Sequence, residues 1–194
     1  MERKYDFVLT DRSQENTMIK KRHLCLLPLL PLLLTACLGM PDGVKPVNNF
    51  KLERYLGTWY EIARLDHSFE RGLDNVTAQY SMWDDGGVRV VNRGYSAKKG
   101  EWEEAEGKAF FVGDEDQGYL KVSFFGPFYG SYVVFELEHE GYQYAFISGP
   151  DLSYLWLLSR TPEVSDATMR LFEQRARSLG FKLDDLVRVS HDGP

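Results

Sequence analysis

Residues 119–125, Tyr-Leu-Lys-Val-Ser-Phe-Phe, and residues 132–138, Tyr-Val-Val-Phe-Glu-Leu-Glu, alternate between apolar and polar side chains. In the first stretch Leu120, Val122 and Phe124 occupy every second position. Successive side chains of a β-strand point to opposite faces, so this period of two predicts strands with one dry and one wet face. Such strands are typical of an antiparallel sheet.

Eight runs of this kind follow one another along the chain. They are rich in aromatic and β-branched residues, and clusters of Gly, Pro, Asp and Lys separate them. The runs cover residues 55–66, 75–83, 87–97, 102–113, 119–126, 131–140, 142–149 and 154–161. Short connections favour hairpins, and eight antiparallel strands within about 110 residues predict a β-sandwich or an up-and-down β-barrel.

The period changes after Pro162. Ser165 can cap the N-terminus of a helix, and Gly180 is typical of a helix C-terminus. Between these two residues, apolar or small side chains recur at helical spacing, at Met169, Phe172, Ala176 and Leu179. We therefore expect one amphipathic helix of about four turns outside the sheet. A short strand over residues 186–189 can then add to a sheet edge.

The first 36 residues have the composition of a leader. A basic start at Met18 precedes about 13 apolar residues, which are too few to span a bilayer. The sequence Leu-Thr-Ala before Cys37 resembles the bacterial lipobox, in which the cysteine is acylated. We expect residues 1–17 to be a non-native extension or the product of an early start codon, 18–36 a lipoprotein signal peptide, and 37–46 a lipidated tether. Several acyl chains on one residue suffice for stable anchoring.

The chain without its first 36 residues is acidic and has no spare thiol. It retains 158 residues with 17 basic and 25 acidic side chains, a net charge of −8. An acidic body without a basic stripe excludes nucleic acid as a partner. Cys25 belongs to the leader and Cys37 would carry lipid, so no cysteine remains for a disulfide or a nucleophile.

The sequence contains no convincing catalytic or metal-binding group. His67, His139 and His191 lie far apart, in turn-like, strand-end or tail positions where we expect them to be solvated. The acidic residues at 84–85 and 114–116 are best interpreted as solvated turn residues, and no nucleophile motif accompanies the serines. We therefore expect a protein that is not an enzyme and that uses no metal or cofactor.

Three motifs in fixed order identify a family. They are Gly-Thr-Trp-Tyr-Glu-Ile-Ala-Arg over residues 57–64, Gly-Pro-Asp over residues 149–151 with Tyr154 after it, and Arg160 at the end of the last run. Together with residues 122–130 they resemble the lipocalins, in particular bacterial lipocalins close to apolipoprotein D and the plant temperature-induced lipocalins. The resemblance implies a lipocalin domain over residues 47–194.

This resemblance selects the barrel from the two all-β alternatives. It implies an eight-stranded antiparallel up-and-down β-barrel with one C-terminal α-helix packed outside and a short final strand. A leucine follows Cys37 in place of the aspartate associated with inner-membrane retention. The resemblance therefore implies a lipid anchor in the outer membrane of a Gram-negative cell, with the barrel facing the periplasm.

Gly57, Trp59 and Arg160 have a physical interpretation of their own. Gly57 permits a tight bend where the first strand enters one end of the barrel. Trp59 offers the largest apolar surface with which to plug that end. The guanidinium of Arg160 can lie on the indole and donate to nearby carbonyls, a contact worth roughly 0.5–2 kcal/mol. We expect these residues to form a structural floor.

The expected ligand pocket lies above that floor. If Arg160 points inward, residues of the same parity in its strand point inward too, whereas Leu155 and Leu157 face the helix. The resemblance places Trp156 and the loop residue Tyr129 in the cavity near its mouth. The candidate ligand-binding residues are Trp156, Tyr129, Phe124, Val122, Phe110 and Tyr154.

A closed eight-stranded barrel can be filled by side chains or can hold one small ligand. The resemblance implies the second alternative, with fatty acids or lysophospholipids bound, stored or transported for membrane maintenance under stress. A C16 tail such as that of palmitate suits such a cavity. The alternative is a lipid-anchored envelope interaction or assembly protein with a filled barrel. The resemblance also makes a homodimer an expectation.

Overall fold

The computed structural model describes residues 38–84 and 86–193. The elements are α1 (Leu52–Tyr55), β1 (Gly57–Leu65), β2 (Leu73–Met82), β3 (Val88–Ser96), β4 (Glu101–Phe111), β5 (Tyr119–Ser123), β6 (Gly130–Leu137), β7 (Tyr144–Ser148), β8 (Leu155–Ser159), α2 (Asp166–Ser178) and β9 (Leu186–Arg188). The predicted extension, the predicted signal peptide and the predicted lipidation residue Cys37 lie outside the described residues.

The eight predicted strands close into a barrel. Strands β2 to β8 pair in chain order, and β1 pairs with both β2 and β8. Gly57 lies opposite Tyr80 of β2, and Tyr60 lies opposite Ser159 of β8, each in an antiparallel ladder. The predicted eight-stranded antiparallel up-and-down barrel is therefore confirmed. Closure pairs both sides of each barrel strand, which removes the exposed edges of an open sheet.

Helix α2 and strand β9 also match the prediction. The Ser165 side chain accepts a hydrogen bond from the Thr168 backbone N–H at 3.1 Å, and Phe172 and Ala176 are buried against the barrel. Strand β9 pairs with the end of β1, from Ala63 to Leu65. Within residues 38–84 and 86–193, no helix is both long and apolar enough to cross a bilayer.

Two apolar cores lie on either side of the barrel wall. The inner core fills the barrel end around Trp59, and the outer core lies between the wall and α2. Leu155 and Leu157 belong to the outer core, the side that strand parity predicts for them. A β-bulge in β6 interrupts the alternation, so Leu137 joins the inner core although Val133 lies in the outer one.

The segment before α1, which includes the described part of the predicted tether, packs on the barrel. Val44 is buried in the outer core, and the Leu38 carbonyl accepts a hydrogen bond from the Tyr119 hydroxyl. Further along, the Val47 N–H donates to the Val134 carbonyl at 2.9 Å, and the Val47 carbonyl accepts from Gly118 N–H. These backbone hydrogen bonds join the segment to β6 and to the residue before β5.

Candidate ligand-binding cavity

One end of the barrel, which we call the floor, is closed by Trp59. The indole is fully buried, and its Nε1–H donates to the Tyr55 carbonyl at 2.7 Å. The guanidinium carbon of Arg160 lies 3.9 Å from the centroid of the Trp59 ring, within cation–π distance. Gly57 has φ +96°, and a Cβ on it would lie 3.5 Å from Arg160 Nη1. A side chain would therefore be strained at position 57.

Arg160 also binds the backbone beside the floor. Its Nη1 donates to the Thr58 carbonyl at 2.8 Å, and its Nη2 donates to the carbonyls of Arg54, Tyr55 and Leu56 at 2.7, 3.2 and 3.0 Å. These three carbonyls belong to the last residues of helix α1 and to its C-cap, and they have no helical N–H as a partner. Partial burial lowers the pKa of Arg160, the side chain that caps them.

Above the floor lies a cavity of about 770 Å³, open at the other end, which we call the mouth. Its wall is mostly apolar, with Ala78, Val88, Val90, Leu120 and Leu158 among the lining residues. Four predicted pocket residues also line it, namely Val122, Phe124, Tyr154 and Trp156. The barrel is therefore not filled by side chains.

Phe110 and Tyr129 lie elsewhere, on the outer surface of the wall, and neither lines the cavity. Ala109 faces the interior, so alternation turns Phe110 outward. There its ring centroid lies 6.3 Å from that of Tyr129, and Lys121 Nζ lies 5.2 Å from the Tyr129 centroid. The structure thus corrects the expectation for these two aromatic residues.

Aromatic side chains surround the mouth. Phe69 in the β1–β2 loop is 53% exposed, and Phe125 and Phe128 in the β5–β6 loop are 75% and 69% exposed. The β7–β8 turn adds Tyr154, which approaches Gly149 so closely that a Cβ on Gly149 would lie 2.5 Å from its Cβ. The glycine of the Gly-Pro-Asp motif is therefore required by a contact that excludes any side chain.

Three tyrosine hydroxyls form a chain inside the barrel. The Tyr132 hydroxyl lies 2.7 Å from that of Tyr55 and 2.9 Å from that of Tyr80. Burial raises the pKa of all three phenols. They therefore stay protonated near neutral pH and satisfy one another within a mostly apolar wall.

A charged cluster, formed by Glu61, Arg64, His67 and Glu70, is buried where β1 meets the β1–β2 loop. Arg64 Nη1 donates to Glu61 Oε1 at 2.7 Å. Arg64 Nη2 donates to the Glu70 and Leu73 carbonyls at 2.8 and 3.1 Å. Arg64 thus fixes the loop to the barrel.

Glu70 connects this cluster to the predicted pocket. Its Oε2 accepts a hydrogen bond from Trp156 Nε1 at 3.1 Å and lies 3.1 Å from His67 Nε2. His67 is 7% exposed and stacks on Phe69 with ring centroids 3.9 Å apart, so the expectation of a solvated histidine is wrong. Burial, and then the charge of Glu70, raise the pKa of Glu61 well above its ordinary value.

The sequence alone does not reveal this cluster. Glu61 shares the parity of Trp59, but regular alternation would turn Arg64 outward. A β-bulge between Glu61 and Ala63 shifts the register of β1 and turns Arg64 inward. The only available signal was the pairing of two opposite charges three residues apart in a strand. In the described ranges, no group of three or more His, Cys, Asp or Glu side chains is placed to hold a metal ion.

Comparison with known proteins agrees with this geometry. Residues 50–191 match the model of the lipocalin-like domain family. The outer membrane lipoprotein Blc of Vibrio cholerae is 62% identical over 161 residues, which cover 83% of this chain and 94% of that protein. Temperature-induced lipocalin-1 of Arabidopsis thaliana is 33% identical, with 74% of this chain and 80% of that protein covered.

Among solved structures, insecticyanin from the tobacco hornworm Manduca sexta superimposes with a TM-score of 0.61. It is 23% identical, and the match covers 78% of this chain and 86% of that one, which supports the fold alone. The name of the Vibrio relative, at its level of identity, confirms the predicted outer-membrane location. The chain belongs to the lipocalin family, in the group of bacterial outer membrane lipoproteins.

Proposed function

We propose that the barrel binds one single-chain lipid, a fatty acid or a lysophospholipid, with its acyl chain in the cavity. The observation that carries the proposal is the unfilled, largely apolar space of about 770 Å³ above the Trp59 floor. That volume lies within the range of about 300–1,000 Å³ that is typical of small-molecule sites. Storage or transport of such lipids for membrane maintenance under stress is the role we propose.

The energetics of one acyl chain support this proposal. Each CH₂ group removed from water contributes about 0.8 kcal/mol, so a palmitoyl chain brings roughly 12 kcal/mol before other terms. Association costs of about 4 kcal/mol or more leave enough for micromolar binding. The polar head would remain at the mouth beside Tyr154 and Trp156.

Exposed apolar side chains at the mouth favour a second function. Phe125 and Phe128 are 75% and 69% exposed and lie in one loop without a charged residue. Exposed apolar patches mark protein or membrane contacts. A lipid-anchored interaction or assembly protein, or a homodimer joined through this loop, would use the same surface.

The decisive experiment measures the ligand directly. We expect native mass spectrometry of the purified protein to show co-purified single-chain lipid, and the delipidated protein to bind palmitate or a lysophospholipid in titration calorimetry. Trp156→Ala should weaken binding about tenfold or more, because it removes wall area and the donor to Glu70. Trp102→Ala is the matched control, since Trp102 is 39% exposed and does not line the cavity. An empty protein that ignores both lipids would favour the interaction role.

We also propose that Cys37 is the acylated residue and that residues 18–36 are removed as a signal peptide. Metabolic labelling with a fatty-acid analogue tests the anchor. Cys37→Ser should abolish labelling and leave the protein unprocessed or soluble. Labelling that persists in this variant would contradict the lipobox interpretation.

A further inference from the structure

The three tyrosines whose hydroxyls form a chain inside the barrel lie directly above the floor. The Tyr55 ring packs on that of Trp59, with the ring centroids 4.7 Å apart. Tyr80 lies opposite Gly57, the first residue of β1, and its ring centroid lies 5.3 Å from that of Tyr55. Tyr132 extends from β6, and its hydroxyl contacts both of the others. We call these three residues the tyrosine triad.

The triad faces the cavity. Tyr55, Tyr80 and Tyr132 all line it. Tyr132 is only partly buried, although its ring packs against the inner core of the barrel. Because this side chain points into the barrel, its exposed part faces the cavity. A ligand that reaches the floor therefore contacts the triad.

The hydrogen bonds within the triad leave one proton without an acceptor. Each phenol hydroxyl has one proton to donate and two lone pairs that can accept. Two hydrogen bonds, at 2.7 and 2.9 Å, join the three hydroxyls, and within the described residues the hydroxyls bond only to one another. Two bonds use two of the three protons, so one proton remains whichever way the chain is oriented. Buried polar groups are normally satisfied, and an exception calls for an explanation.

The surroundings of the triad favour a neutral partner for that proton. Burial raises the pKa of all three phenols, which are therefore neutral donors near neutral pH. The charge of Arg160 acts to lower the pKa of Tyr80, whereas the charges of Glu61 and Glu70 act to raise it. Nearby charges of opposite sign oppose one another, and burial penalises an ionised ligand group. The triad thus suits an uncharged oxygen.

We propose that the tyrosine triad binds a hydroxyl group at the far end of the ligand chain, so that the barrel prefers single-chain lipids that carry such a hydroxyl. This proposal rests on lipid binding in the barrel. An alcohol has one proton and two lone pairs, so it can accept the remaining phenol proton and donate to an unused phenol lone pair. A methyl group at the same place would do neither.

The test compares fatty acids with their ω-hydroxy derivatives. Dodecanoate, tetradecanoate, hexadecanoate and the ω-hydroxy derivative of each are titrated below their micelle concentrations into the delipidated protein at pH 7, by calorimetry. The three chain lengths carry the hydroxyl to three depths. In a purely apolar pocket, the unpaired hydroxyl would weaken binding roughly fivefold to a hundredfold. We expect at least one derivative to bind as tightly as its parent acid or more tightly.

A triple variant locates the effect. Tyr55→Phe, Tyr80→Phe and Tyr132→Phe together remove all three hydroxyls and keep the rings that pack at the floor. No buried hydroxyl loses its partner, and the replacement of all partners by apolar groups can be nearly neutral for stability. In this variant the preferred derivative should bind about tenfold or more weaker than its parent acid. The parent acid should keep its affinity.

The matched control makes the same three changes outside the cavity. It combines Tyr60→Phe, Tyr95→Phe and Tyr144→Phe, at residues that do not line the cavity. The ratio of derivative to parent affinity should equal that of wild type. Circular dichroism checks that each variant is folded. If the triple variant of the triad is not, Tyr80→Phe with Tyr132→Phe takes its place and should lower the ratio severalfold.

The possible outcomes separate this site from lipid binding itself. Derivatives that all bind more weakly than their parents, by the same factor in wild type and in the triad variant, would overturn the hydroxyl site and leave the lipid-binding barrel intact. A triad variant that weakens the parent acid as much as the derivative would place the carboxyl group at the triad and would also overturn the site, as would an equal fall of the ratio in the control. Failure of every probe to bind would refute lipid binding and the hydroxyl site together.

Discussion

Replacement of Arg160 tests the floor of the barrel most directly. Arg160→Met keeps the aliphatic part of the side chain and removes the guanidinium, which donates four hydrogen bonds through two nitrogens and lies on the Trp59 ring. Hydrogen bonds from charged donors are worth about 1.5–3 kcal/mol when buried. Because this guanidinium is only partly buried, about 1 kcal/mol for each nitrogen is the appropriate value.

The cation–π contact adds about 1 kcal/mol. We therefore expect Arg160→Met to lower the free energy of unfolding by about 3 kcal/mol. With a urea m-value of about 1.5 kcal/mol per molar, the unfolding midpoint would fall by about 2 M. The unfolding midpoint of Arg160→Lys should lie between those of wild type and Arg160→Met. A single ammonium group cannot bond to the Thr58 carbonyl and the α1 carbonyls together, and it cannot stack on the Trp59 ring as a planar group does.

The assay is urea unfolding at pH 7, followed by both circular dichroism and tryptophan fluorescence. Arg175→Met is the control, because Arg175 pairs with Glu136 at the exposed surface and its loss should cost less than about 1 kcal/mol. If Arg160→Met shifted the midpoint no more than Arg175→Met does, the assignment of the floor to the Trp59–Arg160 pair would be refuted.

Two further substitutions test the turn motif and the buried cluster. Gly149→Ala places a Cβ 2.5 Å from the Cβ of Tyr154 and should destabilise by about 1–3 kcal/mol in thermal unfolding, whereas Gly130→Ala, with open space around it, should not. Because burial raises the folded-state pKa of Glu61, its contribution to stability is fully present below about pH 4 and is lost as the pH rises through that pKa. The stability of wild type relative to Glu61→Gln should therefore fall as the pH rises above about 4 in urea titrations; a difference that stays constant or grows would contradict the raised pKa.

Regular strands made most of the fold predictable from the sequence. Alternation in β5 marked Val122 and Phe124, and both line the cavity. Parity counted from Arg160 placed Trp156 toward the interior and Leu155 toward the helix, as observed. These assignments need only the period of two, which a regular strand maintains without help from tertiary contacts.

Where the backbone is irregular, the sequence did not predict which way the side chains point. The bulge in β1 turns Arg64 inward, and no residue type in Glu-Ile-Ala-Arg announces a bulge. The orientation of Tyr129 depends on the path of the β5–β6 loop, which has no period to count. The depth of His67 depends on how Arg64 holds the β1–β2 loop against the barrel. Positions set by long-range contacts therefore required the structure.

The docked segment before α1 has a consequence for how far the protein can travel. Because the Leu38 carbonyl is bound by Tyr119, an acylated residue 37 would be joined to the folded body by one Cα–Cα step, about 3.8 Å. If residue 37 is acylated, as we propose, this contact would hold the barrel close to the membrane surface. Ligand exchange would then take place at the membrane surface, with partners that come to the anchored barrel.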